Sequence, residues 1–452
     1  MSRKHGAAVV TVVAVAGMLL GVAPARAAGT VVFTGGGWGH GLGMSQYGAL
    51  GRAQAGWSAS EILKHYYSGT RVGRFQSPAQ VRVGLQQHRA GFEMTSVATR
   101  AGGGEVVLKV LGRSWEIARA GAGASWEVRG TRTGRMRVLL DGARVRRRGR
   151  SAFGGLTRPL VALYQHRGTQ LRVTDGDADR GYRHGRMILG TYATATCNDR
   201  PCLRLVLSIS LQKYLLGLGE VPLWWPLEAL KAQVIAARTY AVRTIGLSGQ
   251  RRLPCDCALA DDATDQVYAG DDKRAASGAY WAQWVEAVRA TDERVITYDG
   301  APIQAFYSSS SGGHTENNEN VWGGAAIPYL RGVPDGFDDN AANPNHTWEE
   351  SMAWEEVSSR LDAAFGTGEL DSFRVVKPLG VSGRVTVVKS ASQGGVEIVG
   401  SARTVRASGL SVQRALGLKD TLFRIDVRPS APEVFGAAER VREIPSLWMS
   451  QP

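Results

Sequence analysis

The stretch "WWPLEALKAQVIAARTYAVRTIG", Trp224 to Gly246, limits the fold more than any other part of the chain. Pro226 suits a first helical turn, and Leu227, Leu230, Val234, Ala237, Ala241 and Ile245 recur at three- and four-residue spacing, with Gly246 placed to end the run. Its many alanines allow close approach of a neighbour, so the helix is expected to bury one face in a core. Upstream, Gln80 to Asp175 offers short alternating runs such as "VRVGL", "EVVLKV", "RMRVLL" and "QLRVT" separated by glycine turns, the pattern of antiparallel strands. A hairpin from Tyr182 leads into the helix. Downstream come a second helix, roughly Ala275 to Thr291, strands ending in a Ser-Gly loop, a short helix near Trp354 to Phe365, further strands and an irregular tail from Arg428. The expected class is α+β, mostly antiparallel strands around an alanine-rich central helix. Two or more lobes are expected, because single cores stop growing at roughly 250 to 300 residues and the chain has 452.

Arg3 and Lys4 precede an apolar run from Ala7 to Ala23, and Ala25-Arg26-Ala27 has the small-x-small form of a cleavage site. Residues 1–27 therefore read as a signal peptide and the mature chain as secreted or wall-located, with no stable membrane span. A net charge of +14 favours anionic surroundings, which outside a cell means wall polymers or lipid headgroups before nucleic acid. The cluster "ARVRRRGR", Ala143 to Arg150, reads as a solvated loop, with polyanion docking as the other reading. Cys197 and Cys202 in "CNDRPC" fit a hairpin staple; Cys255 and Cys257 are one residue apart, where a mutual bond is expected to strain, leaving cross-pairing or free thiols open. "TDGDADRG" fails as a calcium loop, since its glycine falls one position late and Arg186 stands where a bidentate carboxylate is required.

Three segments have candidate chemistry. "GGGWGHGLGMSQYGALGRAQAG", Gly35 to Gly56, fails the tests for a phosphate loop and a dinucleotide fingerprint. Its alternating glycines would instead bring backbone close to a ligand or another strand, presenting His40; Ser45 would cap a helix through Ala49 to Ala55, and Ser58 to Glu61 forms a capping box before the next. Glu220 lies among Val221, Pro222 and two tryptophans, where desolvation raises a carboxyl pKa as a general acid requires. "YSSSSGGHTENNENVWGG" supplies Ser310, Ser311, Gly313, Thr315 and Glu316 as a polar lining, without the nucleophile elbow of a serine hydrolase.

"YLLGLGEVPLWWPLEALKAQVIAARTYA", "AFYSSSSGGHTENNENVWGG" with "PYLRGVPDGFD", and "SGRVTVVKSASQGG" with "RALGLKDTLFRI" together resemble the SpoIID/LytB family, the stage II sporulation protein D and amidase-enhancer group, over roughly Gln80 to Asp426. The resemblance implies that Glu220 is the catalytic acid/base of a lytic transglycosylase cutting peptidoglycan glycan strands, preferentially peptide-stripped ones, between muramic acid and glucosamine to leave anhydromuramyl ends. It implies substrate contacts by His40, Ser45, Gln46, Ser310, Ser311, Gly313, Thr315 and Glu316. Trp224, Trp225 and Trp322 could offer apolar faces to sugar rings, but core packing is the favoured reading for them. The alternative reading is a non-catalytic glycan-binding factor that enhances an N-acetylmuramoyl-L-alanine amidase.

"GWGHGLGMSQYGA" looks like the family's Gly-His-Gly segment, which in sporulation members follows the "LGLKDTLFRI" element; here it comes first, as though the domain were circularly permuted. His40 and Glu220 should then share one cleft, within about 15 Å. Family members can bind zinc in the loop after the alanine-rich helix, but "PCDCALADDATDQVYAG" offers no histidine, so no metal or cofactor is expected. The expected organisation is a Gly-His-Gly segment over 30–70, a strand-rich lobe over 80–180, a catalytic core over 182–340, a C-terminal lobe over 348–426 and a tail over 428–452.

Overall fold

The computed structural model describes residues 29–164, 168–175, 178–390 and 392–428. The expected signal peptide over 1–27 and the expected tail beyond Arg428 lie outside the described residues. The fold is α+β. A seven-stranded sheet runs in the order Leu259–Ala260, Gln80–Arg89, Arg200–Ser210, Arg186–Cys197, Leu160–Tyr164, Val106–Val110, Glu116–Ala120. A six-stranded sheet runs Ala143–Arg144, Met136–Leu140, Ser125–Gly130, Gly91–Ala98, Thr169–Asp175, Ala178–Tyr182. Strand alternation sends Trp126, Val128, Met94 and Val138 of the second sheet and Val83, Leu205 and Leu189 of the first into one core.

The alanine-rich helix spans Leu227–Ser248 and is buried on two faces, one more than its periodicity predicts. Leu230, Val234, Ala237 and Ala241 continue the core of the two sheets, while Ala232, Ile235 and Ala236 pack on Met44 and on Ala49, Ile62 and Leu63 of the N-terminal helices Gln46–Gln54 and Ala59–Tyr66. Small side chains on both sides make that double contact possible. Pro226 is its N-cap, and the helix passes through Gly246 to end at Gly249, whose φ of 72° reverses the chain. The second expected helix breaks in two, Asp272–Ser277 and Trp281–Ala290, at Gly278 with φ 51°.

Cys197 and Cys202 staple the hairpin of the seven-stranded sheet, and Cys255 pairs with Cys257 after all, with Cα atoms 5.1 Å apart. Asp256 between them adopts the left-handed turn that aspartate tolerates, held there by Arg82 at 2.8 Å and by Arg251. Thr30–Gly35 is the middle strand of a third sheet, antiparallel to Trp348–Ala353 on one side and Phe423–Arg428 on the other. Val31, Phe33 and Phe423 join Val357, Leu361, Leu370, Val396 and Val412 in a second core. A two-residue parallel pairing, Met44–Ser45 with Tyr307–Ser308, then aligns the glycine segment with the serine loop.

Candidate active site

The glycine segment is a backbone device. Gly37, Gly39, Gly41 and Gly43 all have positive φ, between 66° and 120°. A Cβ on Gly39 would lie 2.7 Å from the Ser308 Cβ, and one on Gly41 would run into the Arg384 guanidinium. The alternation thus lets the chain thread between the serine loop and the element containing Lys419, bonding Trp38 N to Ser310 O at 3.0 Å, Gly39 N to Lys419 O at 3.1 Å and Gly36 N to Leu422 O at 3.1 Å. The N-terminal segment is therefore seated directly on "LGLKDTLF".

His40 has both ring nitrogens engaged by backbone. Leu42 N donates to Nδ1 at 3.0 Å, which leaves the proton on the other nitrogen, bonded to the Tyr307 carbonyl. Burial first, and the Arg384 charge second, lower its pKa to about 4, so the ring is neutral at physiological pH. It is no proton carrier there. What it presents is an aromatic surface, edge-on to Trp322 with centroids 5.1 Å apart and to Phe306 at 6.0 Å.

Glu220 is half-buried at the end of Gly217–Glu220, which pairs with Val267–Ala269 through Gly219 N to Val267 O and Ala269 N to Gly217 O, both 2.8 Å. Val267 N donates to its Oε1 at 2.6 Å and Gln46 Nε2 to its Oε2 at 3.4 Å; the Tyr307 hydroxyl also bonds the carboxyl. Burial pushes its pKa up, and those donors together with the nearby Lys273 ammonium only partly counter it. Lys273 is itself lowered to about 8 by burial, opposed by Glu220. Tyr307 joins His40 and Glu220, its backbone bonded to one and its hydroxyl to the other.

Tyr307 and its partners have no local sequence signature. Gln266 links them, donating to Tyr307 Oη at 2.8 Å and accepting from Tyr214 Oη at 2.9 Å, while Gln233 holds Gln46 at 3.3 Å. Gln266 is fully buried in "QVY", next to the Val267 that holds Glu220, a placement only the fold reveals.

Five expected substrate contacts point inward instead. Ser45, Ser310, Ser311, Thr315 and Glu316 are all 1% exposed or less. The "PDGFD" turn explains the serines: Asp338 accepts from Ser45 Oγ at 2.6 Å and Ser310 Oγ at 2.7 Å, and Asp335 from Ser311 Oγ at 2.8 Å. Thr315 Oγ1 accepts from Val333 N at 2.8 Å. Glu316 accepts from Asn317 N and Asn320 at 2.8 Å, Val381 N at 3.1 Å, Ser382 N at 3.0 Å and Ser382 Oγ at 2.5 Å. Burial raises its pKa, but those donors outweigh burial and hold it below the ordinary carboxylate range. These side chains are taken up by internal hydrogen bonds; Gly313 is half-buried and stays at the loop surface.

The tryptophans divide. Trp225 is 2% exposed and packs in the core as expected, whereas Trp224 at 49% and Trp322 at 43% stand in solvent, as does Trp38 at 53%. The loop after the alanine-rich helix does not fit zinc: Cys255 and Cys257 are bonded to each other, and Asp265 is occupied by Arg252, by Tyr240 Oη at 2.8 Å and by Ala260 N at 2.8 Å.

In this α+β fold Glu220 is thus a carboxyl of raised pKa, with amide and phenol donors on it and the exposed Trp224 four residues along the chain. The family described as "Stage II sporulation protein" matches residues 201–298, which contain Glu220 and the alanine-rich helix. Stage II sporulation protein D of Bacillus subtilis is 30% identical over 175 residues, 36% of this chain and 50% of the relative. Its Bacillus amyloliquefaciens counterpart is 38% identical over 162 residues, 34% of this chain and 46% of the relative. The amidase enhancer of Bacillus subtilis is 32% identical over 142 residues, 31% of this chain and 17% of the relative. Through this region the chain is similar to the SpoIID family and to the amidase enhancer, and it spans half or less of the length of these relatives.

Proposed function

We propose that the chain is a secreted, wall-located lytic transglycosylase that cuts peptidoglycan glycan strands, preferentially peptide-stripped ones, with Glu220 as its acid and base. The observation that supports this most is the setting of Glu220: a half-buried carboxyl whose pKa is raised by burial, open to a ligand, in the segment shared with the sporulation relatives. Protonated Glu220 donates to the glycosidic oxygen between muramic acid and glucosamine as the C1–O bond breaks. The resulting carboxylate then takes the proton of the muramic C6 hydroxyl while that oxygen bonds C1, closing the anhydro ring and restoring the acid. No water is consumed and one carboxyl does both transfers. A hydrolase needs a second carboxylate, and Glu316, buried and saturated with donors, is unsuited to it.

Gln46 and Tyr307 hold the carboxyl toward the sugar, and Trp322 with the His40 ring supplies an apolar wall. A permuted Gly-His-Gly segment is supported by its bonds to Lys419 and Leu422. The likeness to the amidase enhancer favours a second reading, in which the same cleft holds glycan without cutting it and recruits an N-acetylmuramoyl-L-alanine amidase. Mass spectrometry of peptide-free glycan strands after incubation with the protein and with Glu220→Gln separates the two. Anhydromuramyl ends from the first alone are expected; strands bound but uncut by both would replace catalysis with enhancement.

A further inference from the structure

The strand-rich part contains a second concave site that the cleft does not use. A cavity of about 380 Å³ is lined by Arg113, Arg135, Arg148, Arg150 and Arg158, with Trp115 as an aromatic wall. It forms where the edges of the two sheets meet: Trp115 precedes the edge strand Glu116–Ala120, Arg148 and Arg150 follow the edge strand Ala143–Arg144, and Phe153 bridges back to Met136. Among the described residues none of these arginines has a carboxylate partner. Glu116 is held by Arg119 at 2.5 Å, and Asp141, the only acidic residue between Thr131 and Arg158, accepts from Ser125 N at 2.8 Å. Like charges gathered around one concavity without counter-charges repel, and a bound anion relieves that repulsion.

We infer that this pocket binds a phosphodiester-linked polyol chain, of the kind that makes up anionic wall polymers. Guanidinium forks match the paired oxygens of a phosphodiester, and several of them around one cavity match successive phosphates. Arg148 lies 5.4 Å above the Trp115 ring, so the half-buried indole is left to cover the carbon stem between phosphates. A concave site of this volume accepts a chain segment, whereas a bilayer would need a flat basic face. The pocket is at one edge of the seven-stranded sheet, and Leu259–Ala260, which leads into the Val267 that holds Glu220, is at the other. Six strand spacings separate them, roughly 29 Å, so the pocket tethers the protein to polymer without entering the cleft.

The probe is a synthetic glycerol phosphate hexamer, titrated calorimetrically into the full chain and into Arg113→Ser/Arg148→Ser/Arg158→Ser. These side chains are exposed and unpaired, so the variant should melt with the wild type. Binding is expected to weaken roughly tenfold or more in the variant, to weaken with salt and to be the same in Glu220→Gln. Equal binding by the triple variant overturns the proposal. So does equal binding of a polyglutamate of the same charge, or capture by phosphatidylglycerol vesicles without binding of the hexamer.

Discussion

At the scale of single residues, two carboxyls are held with opposite protonation logic. Glu220 is kept neutral further up the pH scale than a free carboxyl, while Glu316 is kept ionised further down. A folded state that holds Glu220 protonated binds more protons than the unfolded chain above pH 4.5, the ordinary value, so stability falls as pH rises through that window. Glu220→Gln is therefore expected to melt higher than wild type at neutral pH and to lose that advantage below about pH 4; equal melting at both would show that burial does not load this carboxyl. Tyr307 works in the other direction, its hydroxyl lowering the Glu220 pKa. In Tyr307→Phe the alkaline limb of strand cleavage should move to higher pH, because the acid form persists longer. A fall in rate with an unmoved limb would assign Tyr307 to packing alone.

At the scale of elements, the segments around the cleft differ in how openly the sequence announces them. Glu220, Gln46 and His40 stand in local patterns whose residue types already imply a site: an acid among tryptophans, a histidine among glycines, a capped helix following it. The serine loop was legible as a polar loop but not as an inward one. Its direction is set by Asp335 and Asp338, 24 and 28 residues beyond the serines they hold, and tertiary capture of that kind leaves no periodic trace. Tyr307 and Gln266 were hidden for the same reason. The paired faces of Leu227–Ser248 were half legible, since alanine permits close packing without saying on how many sides. The glycine segment has a sharp test. Gly41→Ala forces a side chain at φ 70° into the Arg384 guanidinium, which should cost roughly 1–3 kcal/mol of backbone strain alone and displace His40. Intact cleavage with an unchanged melt would show that the alternation is dispensable.

At the scale of the whole molecule, the pieces are clamped by two buried charged groups. Arg384 pairs with Asp420 at 2.8 Å, both 1% exposed or less, and its guanidinium also reaches the Ser311 and His314 carbonyls at 2.9 and 2.8 Å. One side chain thus joins the C-terminal part, the serine loop and the glycine segment. Arg384→Met leaves Asp420 buried and unpaired, a loss of roughly 3–5 kcal/mol, and calorimetry should show it as a lower transition that involves the cleft as well as the C-terminal sheet. The strand Thr30–Gly35 finds one of its two neighbours in Phe423–Arg428, close to four hundred residues further along the chain. Such a strand is a buckle whose tongue and eyelet lie at opposite ends of the belt. A chain that emerges N-terminus first must hold its glycine segment unfastened until some four hundred residues have followed, so a nascent or truncated copy has Glu220 without the wall that His40 completes. Under the proposed cleavage of wall glycan, synthesis itself would then serve as the safety catch.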